Sequence, residues 1–246
     1  MKKVKICYSP AKDIIWERES EPMEVDLSAV EKHYLALGEK HLKPLEKFMD
    51  FWRQEGCERN FNPQARVIKM SREETEKTFG SDLLCHDEEV GDVVLAIWTL
   101  GADLEKESSR LMSTKGDLMT GFLLDVAGSI ALYNIHETLM DWVEKNIAAK
   151  ESSFIIREFY PGFDSVDQNM MEKVVNASDA TKTIGVEARG SALLFPRKTQ
   201  CSFVGLGTKK REKAVTAIPC NPCNGAKCLY YQLGGCHMQI MKNTRP

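Results

Sequence analysis

Residues 93–101 read Val93-Val94-Leu95-Ala96-Ile97-Trp98-Thr99-Leu100-Gly101, an apolar, partly β-branched run bounded by Gly91-Asp92 before it and by the Thr-Leu-Gly turn that closes it. Six apolar residues, Val93–Trp98, stopped at both ends by turn residues, predict a buried central strand followed by a turn. Such a strand needs other strands beside it and apolar cover on both faces.

The neighbouring segments supply both. Upstream, Val4–Tyr8 alternates and predicts a first strand. Asp26 is placed to cap a helix carrying Leu27, Val30, Tyr34 and Leu37 at helical spacing. Pro44 kinks that helix or starts a second one with Leu45, Phe48, Met49 and Trp52 on one face, and Gly56 is expected to end it. Arg66–Met70 predicts a strand, and Ser71-Arg72-Glu73-Glu74 has the form of a capping box.

Downstream, a helix is expected over 103–112, then a long one from about Asp117 to Ala149, after the break at Gly116. Leu123, Val126, Ala127, Ile130, Ala131 and Asn134 form its expected core face, with Gly128 and Ser129 permitting close packing. Ser153–Glu158 predicts a strand, Tyr160-Pro161-Gly162-Phe163 a turn, and Asp167–Asn176 a helix. Gly185–Phe195 alternates like a half-exposed strand, and Cys201–Gly207 follows. Helices and strands are mixed without βαβ regularity, so the fold class is α+β. No repeat, low-complexity stretch or linker precedes about Ala217, which divides the chain into an α+β domain over 1–217 and a cysteine-rich segment over 218–246.

Of the 246 residues 43% are hydrophobic and 28% charged, with a formal charge of -3, which gives no electrostatic basis for a nucleic-acid partner. Lys209-Lys210-Arg211 reads as a solvated turn. Met1-Lys2-Lys3 is followed by too short an apolar stretch for a signal peptide, and the apolar regions are interrupted by polar residues, so no membrane span is expected and a cytoplasmic location is. In a reducing compartment clustered cysteines read as metal ligands and not as a disulfide framework. Cys7, Cys57, Cys85 and Cys201 are scattered and read as small buried hydrophobes or free thiols.

The remaining four are clustered. Cys220, Cys223 and Cys228 follow a C-x2-C-x4-C pattern, and Cys236 adds a fourth thiol. Asn221, Pro222 and Gly225 suit the tight turns that gather the sulfurs on one side. Four thiolates suit zinc or an iron–sulfur cluster. The loop lacks the second C-x2-C of a structural zinc ribbon, which favours [4Fe–4S]. His237 is an alternative ligand whose ordinary role is at the surface.

Taken in order, several segments resemble the reactivation domain of cobalamin-dependent methionine synthase. Val93–Gly101 is similar to that family's apolar strand ending in TLG, and Leu124-Asp125-Val126-Ala127-Gly128-Ser129-Ile130-Ala131 to its LDAIGSAA helix. Arg157, Tyr160-Pro161-Gly162-Phe163 and Gln168 resemble its R…SPGY…Q signature, and Thr183–Val186 with Pro196–Gly205 its closing IGI…P.KSVSGIIG. The match spans roughly residues 85–207, and stand-alone members of the family often end in C-x2-C-x4-C, as this chain does.

The resemblance implies a central, mostly antiparallel sheet flanked by helices, and a function in rescuing a corrinoid (B12) methyltransferase from its inert cob(II)alamin state. S-adenosylmethionine would be the methyl donor, the corrinoid would come from the partner protein, and the electron from a reductase or from a cluster on the cysteines. Such a domain positions the donor above cobalt and contributes proximity, not an acid–base constellation. By the same resemblance Arg157 would hold the donor's carboxylate, and Tyr160, Pro161, Gly162 and Phe163 would approach its adenine or the corrin edge. Tyr133 stands where the family has a ligand-binding glutamate, and Glu137, one turn on, would take its place. The alternative reading keeps the fold and loses the donor: a non-catalytic module that caps or regulates a corrinoid protein, with a structural metal as staple.

Overall fold

The computed structural model of the chain describes residues 2–10, 15–39, 42–84, 87–162, 166–190, 192–211 and 215–216. Strand β4, Val93–Thr99, is buried at all seven positions, as the apolar run requires. It pairs antiparallel with β3, Gln64–Met70, on one side and with β8, Thr199–Gly207, on the other. Strand β5, Phe154–Phe159, runs antiparallel to β8, and β1, Lys2–Ser9, runs parallel to β3. Two short or exposed edges complete a seven-stranded sheet: β2, Trp16–Met23, antiparallel to β1, and β9, Val215–Thr216, parallel to β5. The sheet is mostly antiparallel and the class is α+β.

Alternation along β4 divides the interior into two cores. Val94, Ala96 and Trp98 face a layer made by α1 (Ser28–Ala36), α2 (Leu42–Phe51), α5 (Asp103–Ser113) and α6 (Leu118–Val143). Val93, Leu95 and Ile97 face the opposite layer, containing α4 (Arg72–Phe79), α7 (Met171–Ser178) and α8 (Ala180–Ile184). A short helix α3, Cys57–Asn60, follows the widened turn Trp52–Gly56 at the end of α2, so Gly56 does not stop the helical path. Each fully buried Ile, Leu or Phe stabilises by about 1.5–3 kcal/mol, which makes β4 and the helices on its two faces the main source of stability.

Helix α6 is the central element of the first layer. By length and composition the helical run Leu118–Glu151 would suffice to cross a membrane, yet its most apolar stretch is mostly buried within the fold. Gly121 lies against α5: a Cβ there would come within 2.7 Å of the Met112 nitrogen and the Ser108 oxygen. Ser108 Oγ donates to the Gly121 carbonyl at 2.9 Å across the same contact. Lys198 ties the approach to β8 onto α6, its Nζ at 2.9 Å from both Asp125 Oδ2 and Ser129 Oγ. Of the expected core face, Asn134 instead donates to the Glu24 carbonyl.

Residues 185–195 differ from the single strand expected there. They form a hairpin of β6, Glu187–Arg189, and β7, Leu193–Phe195, outside the main sheet. Gly190 breaks the extended run with φ of 64°. The Ser71–Glu74 capping box is present with both bonds, at 3.2 Å and 2.9 Å.

Candidate functional site

A cluster of polar side chains against the first core is built from α6, the end of β5 and the turn that follows it. Helical spacing places His136 on the face of α6 that packs on the sheet, below Trp98 of β4, with ring centroids 5.5 Å apart. Trp98 Nε1 donates to the Leu132 carbonyl at 3.2 Å, one turn earlier in the helix. Glu158 projects from β5 toward the same place, buried to 5% exposure, and its Oε1 lies 2.8 Å from His136 Nε2. The Tyr160 hydroxyl is 3.1 Å from the same nitrogen. On the outer side, Glu137 Oε1 lies 3.5 Å from His136 Nδ1 with its side chain largely in solvent.

Burial alone would drive the imidazole toward its neutral form. The bonds to Glu137 and Glu158 outweigh that cost and raise its pKa from 6.5 to about 9. His136 is therefore an imidazolium at neutral pH. Its proton on Nε2 faces Glu158, so the buried carboxylate is paired, as burial of a charge demands. Burial and the negative charge of Glu158 push the Tyr160 phenol well above its ordinary value, so it stays protonated and available as a donor. The cluster is a fixed, pre-organised set of polar groups at the mouth of a turn.

That turn is Tyr160-Pro161-Gly162. Gly162 adopts φ of 85°, a conformation that side chains rarely tolerate, and its N–H donates to the Val166 carbonyl at 2.9 Å. The Gln168 side chain packs beneath it, 3.5 Å from where a Cβ would stand. Gly162 and Gln168, from distinct segments of the sequence, thus meet in space.

Arg157 is turned away from this cluster. Its guanidinium lies 3.6 Å from Asp87 and 4.6 Å from the Phe159 ring centroid, beside the second core. Asp87 also receives two bonds from Arg211, at 2.7 Å and 2.8 Å, and these, with Arg157 nearby, hold its carboxyl below the ordinary range. Of the sequence-derived site residues, then, the structure unites Tyr160, Pro161, Gly162 and Glu137 through His136, and sets Arg157 in a separate ion network. Phe163 and the four clustered cysteines, Cys220, Cys223, Cys228 and Cys236, lie outside the described residues. Cys7 and Cys201 are buried free thiols, and burial pushes Cys201 up to about 12.

His136 and Glu158 are the two members that sequence reasoning did not single out. The available signal was a histidine within an apolar helix and a carboxylate at the end of an apolar strand, neither of them on the core face expected from the sequence. No protein-family model matches the chain, and no curated protein matches it.

Proposed function

We propose that this chain is a stand-alone reactivation protein for a corrinoid methyltransferase, presenting S-adenosylmethionine to a B12-bearing partner. The observation that carries the reading is the order of the four resembling segments, and their grouping in the fold supports it. They supply β4, the middle of α6, β5 with its turn, and β8, which are adjacent: β4 pairs with β8, β8 pairs with β5, and α6 covers them. The specific fold expected is that of the methionine synthase reactivation domain over 1–217, with 218–246 as a metal- or cluster-binding appendage in a cytoplasmic setting.

In this reading an electron from a reductase or from the cysteine site would reduce the partner's cob(II)alamin to cob(I)alamin, which would take the methyl group from the donor's sulfonium and leave S-adenosylhomocysteine. The protein's own contribution is placement. Gly162 offers backbone at close range, and Tyr160 is held in one orientation by His136 and Glu158. Arg157 would take the donor's carboxylate by exchanging Asp87 for it, a competition between two carboxylates for one guanidinium.

That competition is the observation favouring a second reading, a capping or regulatory module without the methyl donor. Titration calorimetry with S-adenosylmethionine separates the two. The first reading expects saturable binding that strengthens when Asp87→Asn releases Arg157. Absence of binding at millimolar donor, in wild type and in Asp87→Asn alike, overturns it in favour of the module.

A further inference from the structure

We propose that His136 is a positioning residue for the Tyr160-Pro161-Gly162 turn: it latches the turn to α6, and the turn follows the state of this one side chain. The inference goes beyond the donor-binding reading but rests on it for the turn's purpose. The latch itself stands on geometry alone.

The hydroxyl of Tyr160 and the carboxylate of Glu158 converge on one nitrogen, at 3.1 Å and 2.8 Å. Tyr160 is the first residue of the turn, and Glu158 stands two residues before it on β5. One imidazole therefore grips the strand and the turn together. It does so from α6, which is anchored at other points by Gly121 against α5 and by Asp125 to Lys198. The turn has a further internal tie, the bond from Gly162 N–H to the Val166 carbonyl. A change at His136 is thus transmitted to Gly162 through Tyr160 and Pro161.

Among the described residues, the groups that face His136 come from four elements. Helix α6 contributes Glu137 at Nδ1, β5 contributes Glu158, the turn contributes Tyr160, and β4 contributes Trp98, which does not titrate. Tyr133, on α6, interacts with Tyr160 electrostatically. With the imidazole charged, Nε2–H is directed at the Glu158 carboxylate with Tyr160 alongside, and Nδ1–H at Glu137. Loss of the proton removes one of these bonds. Either Glu137 is released or a lone pair faces Glu158, and in the second case Tyr160 must reverse its donation. Exposure of Glu137 makes the ring's protonation answerable to solvent although the ring itself is buried.

The test is an NMR titration of the full chain from neutral to alkaline pH, following the His136 ring carbon (assigned with His136→Gln) and the Gly162 amide. In wild type both signals are expected to move with one midpoint, well above that of an exposed histidine. In Tyr160→Phe, which removes only a hydroxyl, His136 should still titrate while Gly162 stops following it. In Glu158→Gln the His136 midpoint should fall. A Gly162 amide that ignores His136 in wild type overturns the latch, as does one that follows it equally well in Tyr160→Phe. Calorimetry with S-adenosylmethionine on the same samples keeps the two ideas apart. Binding weakened about tenfold in Tyr160→Phe joins the latch to the donor site. Joint titration in a protein that binds no donor leaves the latch intact and removes the donor reading.

Discussion

His136 and Glu158 meet at 2.8 Å across the joint between α6 and β5, and both are nearly sealed from water, with side-chain exposures of 11% and 6%. A contact of this kind binds two elements far apart in sequence and makes each partner's charge tolerable only through the other. The single and double replacements therefore have different expected costs. His136→Ala leaves a buried carboxylate without its cation and should destabilise by about 3–5 kcal/mol. Replacing both residues by Leu removes both charges and should cost far less than the single change, although Tyr160 then loses its partners. Urea unfolding of the three proteins checks this, and a single variant within about 1 kcal/mol of wild type would sink the idea.

The same pair sets a pH dependence whose sign follows from the direction of the shift. Folding raises the pKa of His136 from 6.5 to about 9. Below 6.5 the group is protonated folded or unfolded, and the full stabilisation is present. As pH rises from there toward 9 the unfolded chain has lost the proton that the folded one retains, and the stabilisation declines. It is gone above the folded value, a loss of at most about 3 kcal/mol. Thermal unfolding between pH 6 and pH 10 should show Tm falling across this window in wild type. A His136→Gln variant that keeps the same slope would assign it to other groups.

How far the sequence announces this arrangement depends on burial. Strand β4, the long helix α6 and the Ser71 capping box are legible because apolar pattern and local hydrogen bonding determine them without tertiary help. Strand β2 is not, because Trp16-Glu17-Arg18-Glu19-Ser20-Glu21-Pro22-Met23 lies on an exposed edge and carries no apolar alternation. Backbone pairing with β1 holds it, and the diagonal ion pairs Lys3–Glu19 and Lys5–Glu17 that accompany it leave no periodic trace. Gly185–Phe195 alternates like a strand, but Gly190 adopts a positive φ and folds the segment into a hairpin. The turn around Gly162 is legible from Pro-Gly alone, whereas its attachment to His136 is a long-range contact that no local pattern encodes. Arg157 is the instructive case: its type suggests an anion site, and the fold gives it Asp87.

Close passage of α5 and α6 gives a third expectation. Gly121 is the residue at their contact, and a methyl group there would meet backbone atoms of Met112 and Ser108 at 2.7 Å. Backbone on a packed helix cannot move aside as a flexible side chain can, so Gly121→Ala must separate the helices. Despite the better helix propensity of alanine, the variant should lose about 1–3 kcal/mol, with Leu104 and Leu111 of α5 pulled out of the first core. Gly116→Ala is the control for strain without crowding, since nothing lies within 4 Å of its Cβ position although φ is 90°. Chemical denaturation of both, followed by the tryptophan signal, distinguishes the mechanisms. A Gly121→Ala protein as stable as wild type would contradict the close contact.

The cysteines yield the last expectation, which turns on the difference between ligating and buried thiols. Cys201 is sealed, with its pKa pushed up to about 12, and Cys7 is buried as well, so neither offers a thiolate to a metal at neutral pH. Cys220, Cys223, Cys228 and Cys236 are the set whose spacing suits one metal or cluster. Protein prepared without oxygen should carry iron and inorganic sulfide and be coloured, and Cys→Ser at any of the four should lower the metal content. The same change at Cys7 or Cys201 should leave it unaltered. A colourless protein with zinc would keep the ligand assignment and remove the electron-relay role. Metal-free protein, or equal losses from Cys7→Ser and Cys228→Ser, would remove the assignment itself. Chelation offers a further check: if the site only staples 218–246, stripping the metal should leave the titration of His136 in the α+β domain unchanged.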